Sequence, residues 1–317
     1  MSRSPRNKTI DFSLESEEGI KYSAMSPTES DIDLGCDIHD KMFCGDTFAI
    51  CRKLPRAFAD LIIVDPPYNL TKDYHGSRFG ACSSEKYLEF TQKWMDAVIP
   101  LLKPNGTIYV CCDWHSGIVI SRELEKRLCL RGRITWQREK GRGAGGNWKN
   151  SMEDIWYATA SGECKFNLDA VKVRRRVLAP YKENGEPRDW VETKYGKFRD
   201  TCPSNFWDDI SVPYWSMAEN TAHPAQKPEK LLAKLILASS DEGDVVFDPF
   251  GGSGSTAVTA KKLGRHFVSA EQNPLYCAWA EKRLEDAETD KTIQGFGDGV
   301  FWERQTASYL MQKFKKG

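Results

Sequence analysis

In LIIVDPPYN (61–69) an aspartate ends a run of branched apolar residues, and two prolines and a tyrosine follow at once. A short continuous apolar run fits a strand buried on both faces of a parallel sheet. Asp65 is then a carboxylate at a strand end, and Pro66 and Pro67 fix φ so that the neighbouring carbonyl points one way. Tyr68 adds an aromatic face, and a base stacked on such a face gains about 1–3 kcal/mol. The plainer alternative is a rigid turn capped by Asp65, with Asn69 only closing it.

A second stretch with chemical content is FDPFGGSGSTA (247–257). Gly252, Gly254 and Ala257 give a G-x-G-x-x-A spacing directly after an apolar run and ahead of a helical pattern. Glu271 ends the next apolar run. Glycines let a ligand approach the backbone, and a carboxylate at the second strand end can accept from ribose hydroxyls, the arrangement of a Rossmann-type nucleotide site. The plainer alternative is a tight strand–helix turn with a surface glutamate. No GK[ST] follows, which argues against a P-loop triphosphate site. A dinucleotide or S-adenosylmethionine remains.

DPPYN (65–69), HPAQKPEKLL (223–232) and DPFGGSGSTAVTAKKLGRHFVSAEQNPLY (248–276) together resemble the β-class amino-group DNA methyltransferases, and FCGDTF (43–48) agrees with them. The resemblance runs over residues 43–285, with the catalytic motif first, the recognition region in the middle and the cofactor loop last. It implies adenine-N6 methylation of duplex DNA within GAATTC, S-adenosyl-L-methionine as donor with S-adenosyl-L-homocysteine as product, and no metal. It implies a prokaryotic cytoplasmic enzyme of a restriction–modification system, paired in function with an endonuclease without a stable complex and compatible with a homodimer. Asp65, Pro66, Pro67 and Tyr68 become catalytic. Asp46, His223, Lys227, Asp248, Phe250, Gly252, Ser253, Gly254, Glu271 and Asn273 become cofactor contacts, Lys227 facing the methionine carboxylate, Glu271 the ribose and Asp46 the cofactor's adenine amine.

The chemistry of the residues agrees. An adenine amine is a poor nucleophile because its lone pair is delocalised into the ring. Acceptors for both of its hydrogens, Asp65 and the Pro66 carbonyl, would draw it toward tetrahedral geometry. The base must leave the duplex to reach them. Relatives acting on cytosine N4 often carry Ser at the first motif position, so Asp65 favours adenine. A nicotinamide oxidoreductase would leave DPPYN unexplained, and a non-catalytic DNA binder would leave the glycine loop and Glu271 unexplained.

These residues need a scaffold, and the chain supplies an α/β pattern. Strands are expected at 60–65, 107–113, 132–139, 154–160 and 266–272, helices at 85–103, 116–130, 228–240 and 274–288, and a strand, glycine loop and helix in turn over 244–264. This alternation predicts a doubly wound, mostly parallel Rossmann-like sheet, and the resemblance makes it a methyltransferase sheet with circularly permuted motifs. Expected boundaries are a polar, mobile or surface-wrapping arm (1–42), a catalytic half (43–160), an irregular target-recognition insertion (161–222), a cofactor half (223–288) and a C-terminal extension (289–317) with a helix at 303–314. The helix at 228–240 is expected to be amphipathic.

The 317 residues carry 45 basic and 45 acidic side chains, but residues 131–199 hold sixteen Lys/Arg against nine Asp/Glu. That surplus on a neutral chain points to a polyanionic partner at one face. Arg138, Lys140 and Arg142, in a glycine-rich loop, and Arg174 and Arg176 are the candidates for DNA contact, with phosphate neutralisation giving affinity and base-edge contacts specificity. Consecutive arginines in an extended strand cannot all face one way. Ten cysteines without CxxC pairs read as reduced thiols rather than a zinc site. No apolar run reaches the ~20 residues of a membrane span, and no secretory signal is read at the start.

Overall fold

The computed structural model describes residues 6–33, 35–74, 77–138, 145–177, 182–187, 189–193 and 196–303. Its centre is an eight-stranded sheet. In chain order the strands are β1 (Lys41–Cys44), β2 (Ala59–Val64), β3 (Leu102–Cys112), β4 (Cys129–Gln137), β5 (Met152–Thr159), β6 (Phe206–Trp207), β7 (Val245–Asp248) and β8 (His266–Glu271). They lie in the order β1-β8-β7-β2-β3-β5-β4-β6. β5 runs antiparallel to both neighbours and the other pairs are parallel.

The chain turns outward in both directions from the β7–β2 pair, the switch point at which open α/β sheets bind ligands beyond their strand ends. The register there pairs Leu61 with Val246 and Ile62 with Phe247, so Asp65 and Asp248 emerge beside each other. The DPPYN strand and the glycine-loop strand are thus direct neighbours.

Helices cover both faces because each strand here is apolar on both sides. α2 (Thr47–Lys53), α3 (Ser84–Val98) and α4 (Trp114–Glu125) pack Ile50, Trp94, Met95, Val98, Ile120 and Leu124 against Phe43, Ile62, Val64 and Ile108. α5 (Glu229–Ser239), α6 (Ser255–Lys262) and α7 (Pro274–Thr289) pack Leu231, Leu235, Val258, Cys277 and Leu284 against the other face, through Leu61, Ile63 and Val246. The helix expected to run to 103 gives way to a 3₁₀ turn at Ile99–Leu101, where Pro100 lacks an amide hydrogen. β3 therefore begins earlier than expected.

Three expectations change. α5 is not amphipathic in its surroundings: all eleven of its residues are buried. A second, five-stranded sheet covers its outer side, built from Val191–Thr193, Gly196–Thr201, Val173–Arg176, Val300–Trp302 and Phe296–Gly297 in that spatial order. Val171, Val173, Ile293 and Phe301 from this layer meet Ala233, Leu237 and Ala238 of α5. The insertion and the start of the C-terminal extension thus form one sheet rather than separate units. The two lysines this buries, Lys230 and Lys234, reach Asp209 at 2.6 and 3.5 Å.

The N-terminal segment, expected as a mobile or surface-wrapping arm, is narrowed to the second form over its described residues. It carries α1 (Glu17–Ser23), capped by Ser16 and fastened to α7 by Lys21 on Glu285 at 2.6 Å and Ser26 on Glu281 at 3.0 Å. Trp279 donates to the Phe12 carbonyl, and Ile10 pairs with Thr221. The helix expected at 303–314 lies outside the described residues except for Glu303.

Candidate active site

The residues after β2, β7, β8 and β1 converge on one cavity of about 400 Å³. Asp65, Pro66, Pro67 and Tyr68 form one wall, Phe250, Gly252, Glu271 and Asp46 another, and His223 and Lys227 lie between them. Two motifs far apart in the chain thus share one chamber.

The charged core of this chamber is compact. Asp65 Oδ2 accepts from Lys227 Nζ at 2.6 Å, and Asp65 Oδ1 accepts from the Tyr68 hydroxyl at 2.8 Å. Lys227 also donates to the Tyr68 oxygen at 3.1 Å and lies 3.3 Å from Glu153 Oε2. Glu153 takes Arg138 on its other oxygen and sits 3.3 Å from the Tyr68 hydroxyl. Burial alone would lower the Lys227 pKa, but Asp65 and Glu153 override it and hold the ammonium above its ordinary value. Burial, then the two carboxylates, push the Tyr68 phenol up, so it stays a donor.

The resemblance puts Lys227 at the methionine carboxylate; in the structure its ammonium is paired with Asp65. A buried ammonium takes the nearest unpaired charge, and Asp65 provides it. Arg138, a candidate for DNA contact, lines the cavity and pairs with Glu153. Lys140 and Arg142 lie outside the described residues.

The glycine loop is shaped for a close ligand. Gly252 has φ +52°, and a Cβ there would come within 3.1 Å of His223 Nε2. His223 is held edge-on to Tyr276, with ring centroids 4.4 Å apart, and its Nδ1 accepts from the Ala225 amide. Glu271 takes the Gly252 and Asn273 amides at 2.9 and 2.8 Å. Burial raises its pKa against those hydrogen bonds. Asp248 is driven up to about 7 by burial, against hydrogen bonds from Thr256 and the Phe250 amide. Beneath the loop, the buried Ser253 Oγ has no hydrogen-bond partner among the described residues.

Other expected cofactor residues act through the backbone. Gly254 has φ +74°, and a Cβ there would come 2.6 Å from Ala280 Cβ, so this glycine lets α6 and α7 meet. Asn273 caps α7 by accepting from the Leu275 amide. Asp46 caps α2 by accepting from Ala49 and also lines the cavity.

Reading the residues alone missed Glu153. Its signal is an acid at the head of an apolar strand, the counterpart of Asp65 at a strand's end. Asn69 gains a role: it is buried, its amide nitrogen donates to the Cys82 carbonyl at 3.0 Å and its oxygen accepts from the Cys82 amide at 2.8 Å. It pins the segment before α3 to the catalytic turn.

Arg174 and Arg176 lie in the second sheet. Arg174 is held by both oxygens of Asp200 at 2.8 and 2.7 Å. Arg175 and Arg176 are exposed, and Arg175 lies 3.8 Å from Glu303. Among the described residues no cluster of three or more His, Cys, Asp or Glu could hold a metal ion, and no helix is long and apolar enough to cross a membrane.

The match to known proteins covers this same region. The DNA methylase family model of the N6/N4 type matches residues 59–282. Type II methyltransferase M.HpaI of Haemophilus parainfluenzae is 34% identical over 259 residues, covering 81% of this chain and 76% of the relative. DNA adenine methyltransferase YhdJ of Escherichia coli (strain K12) is 32% identical over 250 residues, covering 77% of this chain and 82% of the relative. In fold, the chain is similar to the PvuII cytosine-N4-specific DNA methyltransferase, with TM-score 0.59, 17% identity and coverage of 87% and 93%. It is similar too to a DNA modification methylase of Thermus thermophilus, TTHA0409, complexed with S-adenosyl-L-methionine, with TM-score 0.54, 20% identity and coverage of 82% and 96%. With DPPYN, the glycine loop and seven of the eight strands of the large sheet inside the matched span, the chain belongs to the N6/N4 DNA methylase family.

Proposed function

We propose that this methylase transfers the methyl group of S-adenosyl-L-methionine to the N6 amine of an adenine turned out of duplex DNA. The observation that carries the reading is Asp65 opening into the same cavity as Gly252 and Glu271. When bound, S-adenosyl-L-methionine supplies an electrophilic methyl group on a sulfonium.

The chain's residues suit the rest. Glu271 is placed for ribose hydroxyls, the Ser253 hydroxyl offers an unused polar group, and the open backbone at Gly252 admits a ligand closely. The cavity is enclosed enough that orientation does most of the work. Tyr68 and Lys227 fix the Asp65 carboxylate by one hydrogen bond on each oxygen, and each oxygen keeps a lone pair for the amine. The Pro66 carbonyl is the second acceptor, and the Tyr68 ring is the stacking face. With the donor bound, the amine would take the methyl group as the sulfur–carbon bond breaks to leave the thioether, and the proton it sheds would go to Asp65, the base beside it.

Lys227 serves as the anchor of Asp65 rather than a contact to the cofactor's carboxylate. Arg175 and Arg176 on the second sheet are exposed and fit DNA phosphates. GAATTC, the context implied by the sequence resemblance, is the first duplex to test, and with it the pairing with a restriction endonuclease.

A second reading, N4-cytosine methylation, is favoured by the fold likeness to the PvuII enzyme. Asp65 and the identity with YhdJ support adenine. The test is to incubate the protein with duplex DNA and labelled donor and digest to nucleosides. Label in N6-methyladenosine is expected, and label in N4-methylcytosine would replace the reading by the second. In parallel, Asp65→Ala should abolish transfer while donor binding, read by calorimetry, is kept. Transfer by Asp65→Ala near the original rate would remove Asp65 from the mechanism.

A further inference from the structure

Glu153 is buried at the start of β5, outside the stretches 65–69, 223–232 and 248–276. Its Oε2 is 3.3 Å from both Lys227 Nζ and the Tyr68 hydroxyl, and its other oxygen holds Arg138. One ammonium is therefore shared between two carboxylates, with Asp65 at 2.6 Å. This arrangement bears on the reaction. An ammonium paired with Asp65 alone would neutralise the carboxylate that must accept the amine. Pulling it away would leave a buried charge without a partner, which is strongly unfavourable. A second carboxylate within reach removes that obstacle, because Lys227 can lean from one to the other and stay paired throughout.

We propose that Glu153 is a positioning residue for methyl transfer, drawing the Lys227 ammonium partly off Asp65 so that Asp65 remains a strong acceptor for the target amine. The proposal rests on the reading of Asp65 as that acceptor. Glu153 acts on the transfer step through Lys227, and it is not expected to touch base or donor.

The test is Glu153→Gln, which keeps the shape and removes the charge, read in single turnover with excess enzyme and labelled donor. Transfer should slow by roughly 10- to 100-fold, the worth of one charged hydrogen bond. Donor affinity should stay within about twofold. The decisive reading is the double-mutant cycle. In a Lys227→Met background Glu153→Gln should cost less than about twofold, because the ammonium it steers is gone.

A full additive loss in that background would overturn the proposal, and so would a Glu153→Gln enzyme at the original rate. If Glu153→Gln fails to fold because Arg138 loses its carboxylate, the pair Arg138→Gln/Glu153→Gln restores neutrality. The cycle with Lys227 is then read in that background, with the same outcomes deciding. The two readings fail separately. An active Asp65→Ala removes the acceptor itself, whereas an inactive Asp65→Ala beside an unimpaired Glu153→Gln removes only the role of Glu153.

Discussion

Replacing Lys227 with methionine tests the charged core directly. The methionine keeps most of the stem's volume and deletes the ammonium, whose side chain is only 9% exposed. Three contacts vanish: Asp65 Oδ2 at 2.6 Å, the Tyr68 hydroxyl at 3.1 Å and Glu153 Oε2 at 3.3 Å. Glu153 keeps Arg138, so the orphan is Asp65, a carboxylate left in the cavity wall with one neutral donor. Breaking a buried ion pair from one side costs about 3–5 kcal/mol. Because Asp65 is 21% exposed and borders the cavity, water recovers part of that, and about 3 kcal/mol is expected.

Urea unfolding followed by circular dichroism measures it, the midpoint falling while the slope stays the same. Charge balance gives the internal control. Lys227→Met/Asp65→Asn removes both members of the pair and leaves Glu153 on Arg138. This double variant should recover most of the lost stability while remaining inactive. If Lys227→Met unfolds within about 0.5 kcal/mol of the original protein, or the double variant is no more stable than the single one, the ammonium is not seated between the carboxylates and the reasoning fails.

Other consequences can be checked alongside. Gly254→Ala forces a Cβ to within 2.6 Å of Ala280 Cβ at φ +74°; a loss of about 2–4 kcal/mol is expected in the same unfolding assay. Asn69→Ala removes both hydrogen bonds to Cys82, and about 1–3 kcal/mol should be lost, with faster amide exchange at 80–83 as the local signature. The Asp248 carboxyl sits at about 7 in the folded chain and near 3.9 unfolded. Between those values the folded state holds a proton that the unfolded state has lost, so this group makes stability fall as pH rises from about 4 to about 7 and no further above it. Asp248→Asn should flatten that slope and be relatively more stable at pH 8 than at pH 5; an unchanged slope would show that the group titrates normally.

Some of this was legible because it is local. LIIVD announces a buried strand, and G-x-G-x-x-A after a strand announces a ligand loop, from chemistry confined to a few neighbouring residues. The doubly wound sheet follows from apolar runs alternating with helical spacing. What escaped depends on partners distant in the chain. Lys227 is 162 residues from Asp65, and nothing near either one names the other. The burial of α5 on every side comes from strands of two to six residues with charged neighbours, two of them from beyond residue 295. Such strands lack the alternation that would mark them: among their described residues the buried apolar ones are Val173, Phe198, Val300 and Phe301. The pairing of the N-terminal segment with α7 rests on Tyr22, Lys21 and Ser26, polar or amphipathic residues that read as surface until their partners are seen.

The order of the motifs along the chain matters less than the register that joins them. Asp65 follows β2 and Asp248 ends β7, and the pairing of Leu61 with Val246 alone fixes their relative height. The Thr47 hydroxyl then ties the start of α2 to the Pro249 carbonyl at 2.6 Å, and the Gly45 amide ties the end of β1 to the Glu271 carbonyl at 2.8 Å. Lys227 enters this frame from the turn before α5, and α5 is clamped between the two sheets. Lys227, which pairs with Asp65, stands two positions ahead of that helix. The second sheet thus packs on the helix that follows the partner of Asp65, a place in the architecture which its short, charged strands alone would not suggest.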